Sequence, residues 1–182
     1  LQFKSIVAVT NMGTTSASVQ LTAQRQSGDP ISTTRTIPAH GNLCSAANEL
    51  FPGLGNGPGF SILISSSADQ IYGAWVTNNL DSPSGSSPSQ GAGVVLDQAG
   101  SAHVGSNLLF GYLPVGTETI SGPVLVNIGD QNTDVTLRFY DRNGQLILTN
   151  TSITGLAPFR PFAAVANDLV PAMQEDAFAL VA

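Results

Sequence analysis

Apolar and polar residues alternate one by one along several stretches of the chain. Val19, Leu21 and Ala23 are separated by single polar residues, and the same holds for the apolar positions between 135 and 139. A period of two is typical of β-strands with one buried and one exposed face. Asn143 and Gly144 follow the second stretch, and Asn-Gly is the pair preferred in tight hairpin turns. The pattern predicts short antiparallel strands joined by turns.

Two stretches depart from this alternation. Residues 45–50 (SAANEL) and 163–169 (AAVANDL) show no period of two, and Pro52 and Pro171 follow shortly after them. Proline ends a helix because it lacks an amide hydrogen and its ring clashes with the preceding turn. Each stretch therefore predicts a helix of one or two turns.

The first part of the chain recurs in the second part at an offset of 116 positions, the distance from Asn11 to Asn127. Residues 9–13 (VTNMG) match 125–129 (LVNIG), and after an insertion of three residues NELFP at 48–52 matches NDLVP at 167–171. The same offset pairs further apolar and glycine positions: Val19 with Val135, Leu21 with Leu137, Gly28 with Gly144 and Ile37 with Ile153. A repeat of this length indicates two copies of one structural unit.

The strands, helices and repeat together predict the fold class. We expect an all-β protein made of two homologous small antiparallel β-sandwich modules, each with one short helix. The first module covers residues 1–80 and the second covers residues 101–182. Residues 81–100 lie between them and are predicted to form a linker, because their first half is dominated by serine, glycine and proline.

Charge and cysteine content narrow the classes of function. Only 10% of the residues are charged and the net charge is −6, which excludes a basic groove that tracks a nucleic-acid backbone. No stretch reaches the ~20 apolar residues that cross a bilayer. Cys44 is the only cysteine, which excludes a disulfide framework, and its neighbours Leu43 and Ala46 predict that it is a small buried side chain.

Few residues carry chemistry in a recognisable pattern. From Asp130 to Asp134 the sequence (DQNTD) places oxygen ligands at positions one, three and five of a calcium loop, but lacks the glycine and glutamate that complete one. A solvated strand connection is favoured there, and calcium stays open. His40 and His103 lie in separate loops, and no G-x-S-x-G motif is present. We predict no catalytic residue, no cofactor, no metal site and no enzymatic activity.

Two aromatic residues offer an alternative function. Tyr72 and Trp75 are three residues apart on a predicted strand, so their side chains point to opposite faces. An exposed ring could stack on a sugar, which makes an extracellular carbohydrate-binding or adhesion module the second hypothesis. Trp75 is better interpreted as a core residue, since large aromatic side chains usually fill a sandwich core.

The order of motifs also resembles a known class of proteins. The apolar-x-Asn-x-Gly motif, the V-x-L alternation, a glycine turn and N-[DE]-L-x-P resemble the tandem immunoglobulin-like or fibronectin-like β-sandwich repeats of secreted bacterial surface proteins. This resemblance spans residues 1–80 and 101–182. It implies a spacer, stalk, adhesion module or fibre subunit at an extracellular or cell-surface location, and it transfers no catalytic residue.

The two predicted modules are incomplete in opposite ways. Residues 70–76 add a strand after the first module and residues 107–113 add one before the second, without counterparts in the other. Both chain ends would then form open strand edges, which pair with other chains. We predict a homo-oligomer or filament whose edge residues are Leu1, Phe3, Ile6, Phe178, Leu180 and Val181. The alternative is a fragment cut from a longer repeat stalk.

Overall fold

The structure is a computed structural model that describes residues 3–55, 59–79, 91–95, 104–114, 121–171 and 177–181. It confirms an all-β fold with short helices. The elements of the first half are β1 (Phe3–Asn11), β2 (Ala17–Arg25), β3 (Ile31–Ile37), β4 (Asn42–Ala46), α1 (Ala47–Leu50), β5 (Phe60–Ser66), β6 (Ile71–Asn79) and β7 (Gly91–Val95). Those of the second half are β8 (Leu108–Leu113), β9 (Val124–Val126), β10 (Thr133–Asp141), β11 (Leu146–Leu156), β12 (Pro161–Ala163), α2 (Ala166–Leu169) and β13 (Ala177–Val181).

The chain forms two compact units. Unit 1 contains Leu1–Ala23, Asp29–Asn56 and Ile62–Leu96, and unit 2 contains Gln24–Gly28, Gly57–Ser61 and Asp97–Ala182. The last boundary falls inside the stretch predicted as a linker. That stretch is not a linker throughout, because residues 91–95 form β7 and pair with β6 from Asn78↔Gly91 to Ala74↔Val95.

Unit 1 consists of two antiparallel sheets. One has the strand order β4-β1-β6-β7 and the other has the order β3-β2-β5. The strands form where the sequence alternates, because alternate residues are buried while their neighbours face water: Val19 and Leu21 on β2 are buried, whereas Ser18 and Gln20 are exposed. The buried apolar residues of this unit include Val7, Val9, Val19, Leu21, Ala23, Ile37, Leu50 and Phe51.

Unit 2 also contains two antiparallel sheets. Their strand orders are β11-β10-β13-β8 and β12-β9. Its core is one cluster of buried side chains: Leu113, Leu125, Leu137, Phe139, Ile153, Ala166, Leu169, Val170 and Ala179. Leu137 and Phe139 come from the strand in which the sequence shows the period of two, so the apolar face predicted for that strand is the buried one.

Strand β11 accommodates the three-residue insertion found in the sequence. On the β10–β11 ladder the register shifts three times, between Thr133 and Val135, between Val135 and Leu137 and between Phe139 and Tyr140. Each shift places one extra residue on β11, whereas β2 and β3 pair without a shift. Leu156, opposite Thr133, therefore corresponds to Ile37, opposite Ala17, and the predicted match of Ile37 with Ile153 is wrong.

Both predicted helices exist and are short. Each has four residues, and the amide of the residue that follows closes the last turn: Phe51 N donates to Ala47 O and Val170 N donates to Ala166 O, both at 2.9 Å. The helices bury two residues each, one alanine and one leucine. They begin later than the sequence predicts, because Ser45 and Ala46 belong to β4 and Ala163 belongs to β12.

Cys44 is exposed, so the prediction that it is buried is wrong. It lies on β4, where Asn42 and Cys44 are exposed while Leu43 and Ser45 are partly covered. The alternation along the strand places the thiol on the exposed face, and the adjacent Leu43 points the other way.

Candidate functional site

A buried asparagine organises the end of β1. Asn11 is 0% exposed, and its Nδ2 donates to the carbonyl oxygens of Thr15 (2.8 Å), Ile37 (3.1 Å) and Pro38 (3.1 Å). Its Oδ1 accepts the amide of Gly13 at 2.9 Å. A buried amide is stable only when its donors and acceptors are satisfied, and this side chain satisfies backbone groups from two separate loops. It fixes the turn after β1 to the end of β3.

Unit 2 has the same arrangement around Asn127, the residue that matches Asn11. Asn127 Nδ2 donates to Gln131 O (2.7 Å) and Leu156 O (2.8 Å), and Oδ1 accepts the amide of Gly129 at 2.9 Å. Gln131 lies at the same offset from Thr15, and Leu156 faces β10 as Ile37 faces β2. The asparagine of the VTNMG and LVNIG motifs therefore has one structural role in both units.

The next turn of each unit contains a residue in the left-handed region. His40 has φ 56° and Phe159 has φ 58°, and no other described non-glycine residue has positive φ. The following amides close the turns, from Gly41 N to Pro38 O (3.0 Å) and from Arg160 N to Ala157 O (3.1 Å). His40 is thus part of a tight turn. His103, the other candidate base, lies outside the described residues.

The terminal strands are interior strands of their sheets. β1 pairs with β4 on one side and with β6 on the other, and β13 pairs with β10 and β8. The predicted edge residues Ile6, Phe178, Leu180 and Val181 therefore do not lie on open edges, and the prediction is wrong for them. Phe3 pairs with Asn79 of β6, while the ladder with β4 begins only at Ile6. Leu1 lies outside the described residues. The ring of Phe178 stacks on Tyr140 with centroids 5.2 Å apart.

Two further strands, β9 and β5, are outermost in their sheets although the strands that match them in the other unit are interior. β9 corresponds to β1, but within the described ranges it pairs with β12 alone, whereas β1 also pairs with β6. β5 corresponds to β13, but among the same residues it pairs with β2 alone, whereas β13 also pairs with β8. Each unit leaves open the edge that a strand covers in the other unit.

The backbone of β9 presents hydrogen-bonding groups at its open edge. Asn127 N donates to Arg160 O and Asn127 O accepts from Phe159 N, so this residue faces the β12 side. In an antiparallel strand the N–H and C=O of one residue point to the same side and alternate along the chain. Leu125 therefore also faces β12, where it pairs with Phe162, while Val124 and Val126 direct their N–H and C=O groups to the open edge.

The side chains at this edge are apolar and exposed. Val124 is 43% exposed, Val126 is 39% exposed and Ile128 is 44% exposed, whereas Leu125 between them is buried. We call these three exposed residues the β9 edge. In unit 1 the corresponding backbone groups are used: the amide of Met12, which matches Ile128, donates to Gln70 O at 2.9 Å beside the start of β6.

The two aromatic candidates lie on β6 and differ in exposure. Tyr72 is exposed and borders a shallow surface depression with Thr10, Met12 and Gln70. Trp75 is only partly exposed, and it lies opposite Val7 on the β1–β6 ladder. Tyr72 is therefore the ring that a ligand could reach.

The candidate calcium segment and the following hairpin have structural roles. Asp134 Oδ1 accepts the amide of Gly155 at 2.7 Å. Asp141 Oδ1 accepts the amides of Asn143 and Gln145, both at 2.8 Å, and so closes the turn predicted from Asn143-Gly144. In the part of the chain that the structure describes, no three His, Cys, Asp or Glu side chains are close enough to hold a metal ion.

Asp141 makes unit 2 sensitive to acid. The backbone amide of Gln145, followed by that of Asn143, lowers the pKa of the Asp141 carboxyl below its usual value. A group whose pKa is lower in the folded chain stabilises the fold above its unfolded pKa, and this contribution is lost as the pH falls through the folded value. We expect Asp141→Asn to destabilise unit 2 at neutral pH and to have no effect at pH values below both pKa values. Urea unfolding across the acid range tests this, and an effect that does not change with pH would contradict it.

No helix among the residues that the structure describes is long and apolar enough to cross a membrane. Compared with protein-family models, with curated proteins and with solved structures, the chain matches none of them. The arrangement of its own residues is therefore the basis on which a function is proposed.

Proposed function

We propose that this chain is a non-enzymatic structural subunit of an extracellular assembly, whose copies associate through intermolecular β-strand pairing. The observation that carries the proposal is the pair of complementary open edges on β9 and β5. An open strand edge is a template for pairing with another chain. A contact between two different edges does not have to close on itself, and a contact that does not close generates a filament.

We also propose that the two units are copies of one module. Three features support it: the buried asparagines Asn11 and Asn127 with matching hydrogen bonds, the left-handed residues His40 and Phe159, and four-residue helices followed by the same closing hydrogen bond. Unrelated units would have no reason to share these particular backbone constraints. Copies of one module have matching strands, so a strand that completes one copy has the shape to complete another.

The low charge of the chain and of its open edges supports self-association. With 10% charged residues, neighbouring copies repel one another weakly. The β9 edge consists of valine and isoleucine, and β5 has the uncharged sequence FSILISS. Natural edge strands usually carry charged residues that prevent pairing with other chains. The absence of charge on both of these strands therefore favours pairing at their edges. The resemblance to repeats of secreted bacterial surface proteins points to an extracellular location.

Sedimentation velocity over a wide concentration range tests this function. We expect the wild-type chain to form species larger than a monomer, and we expect Val126→Lys to weaken that association about tenfold or more, because it brings a charge onto the pairing edge. Val165→Lys is the matched control, since Val165 is 38% exposed but lies between β12 and α2, outside the strands.

Two results would contradict the proposal. One is a wild-type chain that stays monomeric at every concentration. The other is an equal loss of association in Val126→Lys and Val165→Lys, because that would indicate general hydrophobic contact and not pairing at the β9 edge. Circular dichroism of both variants confirms that a loss of association does not come from unfolding.

A further inference from the structure

We infer that the β9 edge binds an antiparallel strand with the chemistry of β6, which a second copy of this chain supplies by strand exchange, since β6 is paired with β1 and β7 within each copy. The inference rests on the proposed function and specifies the partner of one of its edges. Its basis is the difference between the two units: β1 has β6 beside it over nine residue pairs, and β9, which matches β1, has no strand on that side among the described residues.

Unit 1 indicates the register of the missing strand. Thr10 lies opposite Tyr72 and Ala8 lies opposite Ala74 on the β1–β6 ladder. Val126 and Val124 match Thr10 and Ala8, so a strand added in the same register would place its Tyr72-type residue opposite Val126. The amides of Val124 and Val126 point to that side and would donate to the added strand, as the Met12 amide donates to Gln70.

The side chains of the two partners are complementary. Residues directly opposite each other in an antiparallel pair project from the same face, and aromatic pairs with β-branched residues are favourable there. An added β6-type strand would cover the exposed Val126 with an aromatic ring. The sequence of β6, IYGAWVTNN, has no charged residue, so burying it against valine leaves no charge unpaired.

Val124 and Val126 of the β9 edge differ in size and polarity from Ala8 and Thr10, the residues of β1 that match them. Ala8 and Thr10 are only partly buried where β6 covers them, whereas Val124 and Val126 are larger, wholly apolar and exposed. Exposed β-branched residues beside free backbone donors mark a site of strand addition, since burial of apolar surface and new main-chain hydrogen bonds form together.

Binding of a synthetic peptide tests the inference. The probe is residues 70–79 (QIYGAWVTNN) with blocked ends and a fluorescent label, and fluorescence anisotropy measures its affinity for the full chain. We expect saturable binding to the wild-type chain, no binding of a scrambled peptide, and protection of the Val124 and Val126 amides from hydrogen exchange in the complex.

Two variants of one residue separate the backbone from the side chain. Val126→Pro removes the amide donor that points to the open edge but keeps the pairing with β12, which uses Leu125 and Asn127. We expect this variant to bind the peptide at least about tenfold more weakly than the wild-type chain does. Val126→Thr introduces the residue type of Thr10, which lies opposite β6 in unit 1, and keeps the backbone amide donor. We therefore expect its affinity for the peptide to stay within about threefold of wild type. If Val126→Pro does not fold, a peptide N-methylated at the tyrosine amide gives the same test with the wild-type chain.

Three results would overturn the inference. The first is that the peptide does not bind. The second is that it binds Val126→Pro as tightly as the wild-type chain, because it has replaced β6 on β1. The third is that the chain forms β9-to-β9 dimers that the peptide does not dissociate. The proposed function fails separately: a wild-type chain that binds the peptide but stays monomeric retains the inference without the assembly. A chain that assembles but ignores the peptide retains the assembly through another edge.

Discussion

Asn11→Ala is expected to lower the free energy of unfolding by about 3 kcal/mol, because it leaves buried carbonyl groups and the Gly13 amide without their partner. Asn127→Ala should cost less, about 1–2 kcal/mol, since Asn127 is 9% exposed and donates to two carbonyl groups where Asn11 donates to three. Urea unfolding followed by fluorescence measures the first variant directly, because the only tryptophan, Trp75, lies on β6 of unit 1.

Asn48→Ala is the control for this prediction. Asn48 is an exposed residue of α1, and its replacement should change the free energy of unfolding by no more than about 0.5 kcal/mol. If Asn11→Ala cost no more than Asn48→Ala, the hydrogen bonds of the buried asparagine would not be what holds the turn after β1 to β3.

Phe139→Ala is expected to destabilise unit 2 by about 3–5 kcal/mol, because Phe139 is fully buried in the core and its removal leaves a cavity. The residues that match Phe139 and Val170 are Ala23 and Phe51, so unit 1 has the small residue on the strand and the large one after the helix. All four side chains are buried. Among the described residues, each unit therefore has one fully buried phenylalanine, and the two occupy opposite positions.

This exchange predicts a rescue. Val170→Phe alone should cost about 1–3 kcal/mol by overpacking, whereas the double variant Phe139→Ala with Val170→Phe restores the pairing used by unit 1. We expect the double variant to be more stable than the sum of the single effects by about 1–2 kcal/mol in a double-mutant cycle followed by circular dichroism. Additive losses would mean that the two positions do not share one core space.

The local structure could be predicted from the sequence because its causes are local. The period of two in residues 19–23 and 135–139 identifies β2 and β10, Asn143-Gly144 identifies a hairpin turn, and the prolines identify the ends of both helices. These signals depend on side-chain alternation and on backbone preferences of single residues, which act within a few positions of the chain.

Strand pairing could not be predicted in the same way. β1 lies between β4 and β6, and nothing in its own residues indicates that it has two neighbours. Residues 91–95 have the composition of a linker and become β7 only because β6 offers them a partner. Pairing is decided by contacts between residues far apart in sequence, and a glycine-rich segment forms a strand when such a contact exists.

The open edges could likewise be predicted only in part from the sequence. The sequence indicates that each module has a strand without a counterpart in the other, and this interpretation leads to open edges. This interpretation places the open edges on the terminal strands. However, the strand left open is the one beside which a strand is missing, and this strand is β9 in unit 2 and β5 in unit 1. The residues of the β9 edge, Val124, Val126 and Ile128, could have been found by asking which residues match those that β6 covers on β1.

The opposite placement of the two phenylalanines restricts recombination between the halves of the gene. A crossover after the codon for Ala23 that continued with the second half would combine Ala23 with Val170 and leave the core underfilled. The reciprocal crossover would combine Phe139 with Phe51 and overfill it. An exchange of segments between the two halves in this interval therefore yields poorly packed products, so the strand of each half is matched to the helix region of its own half.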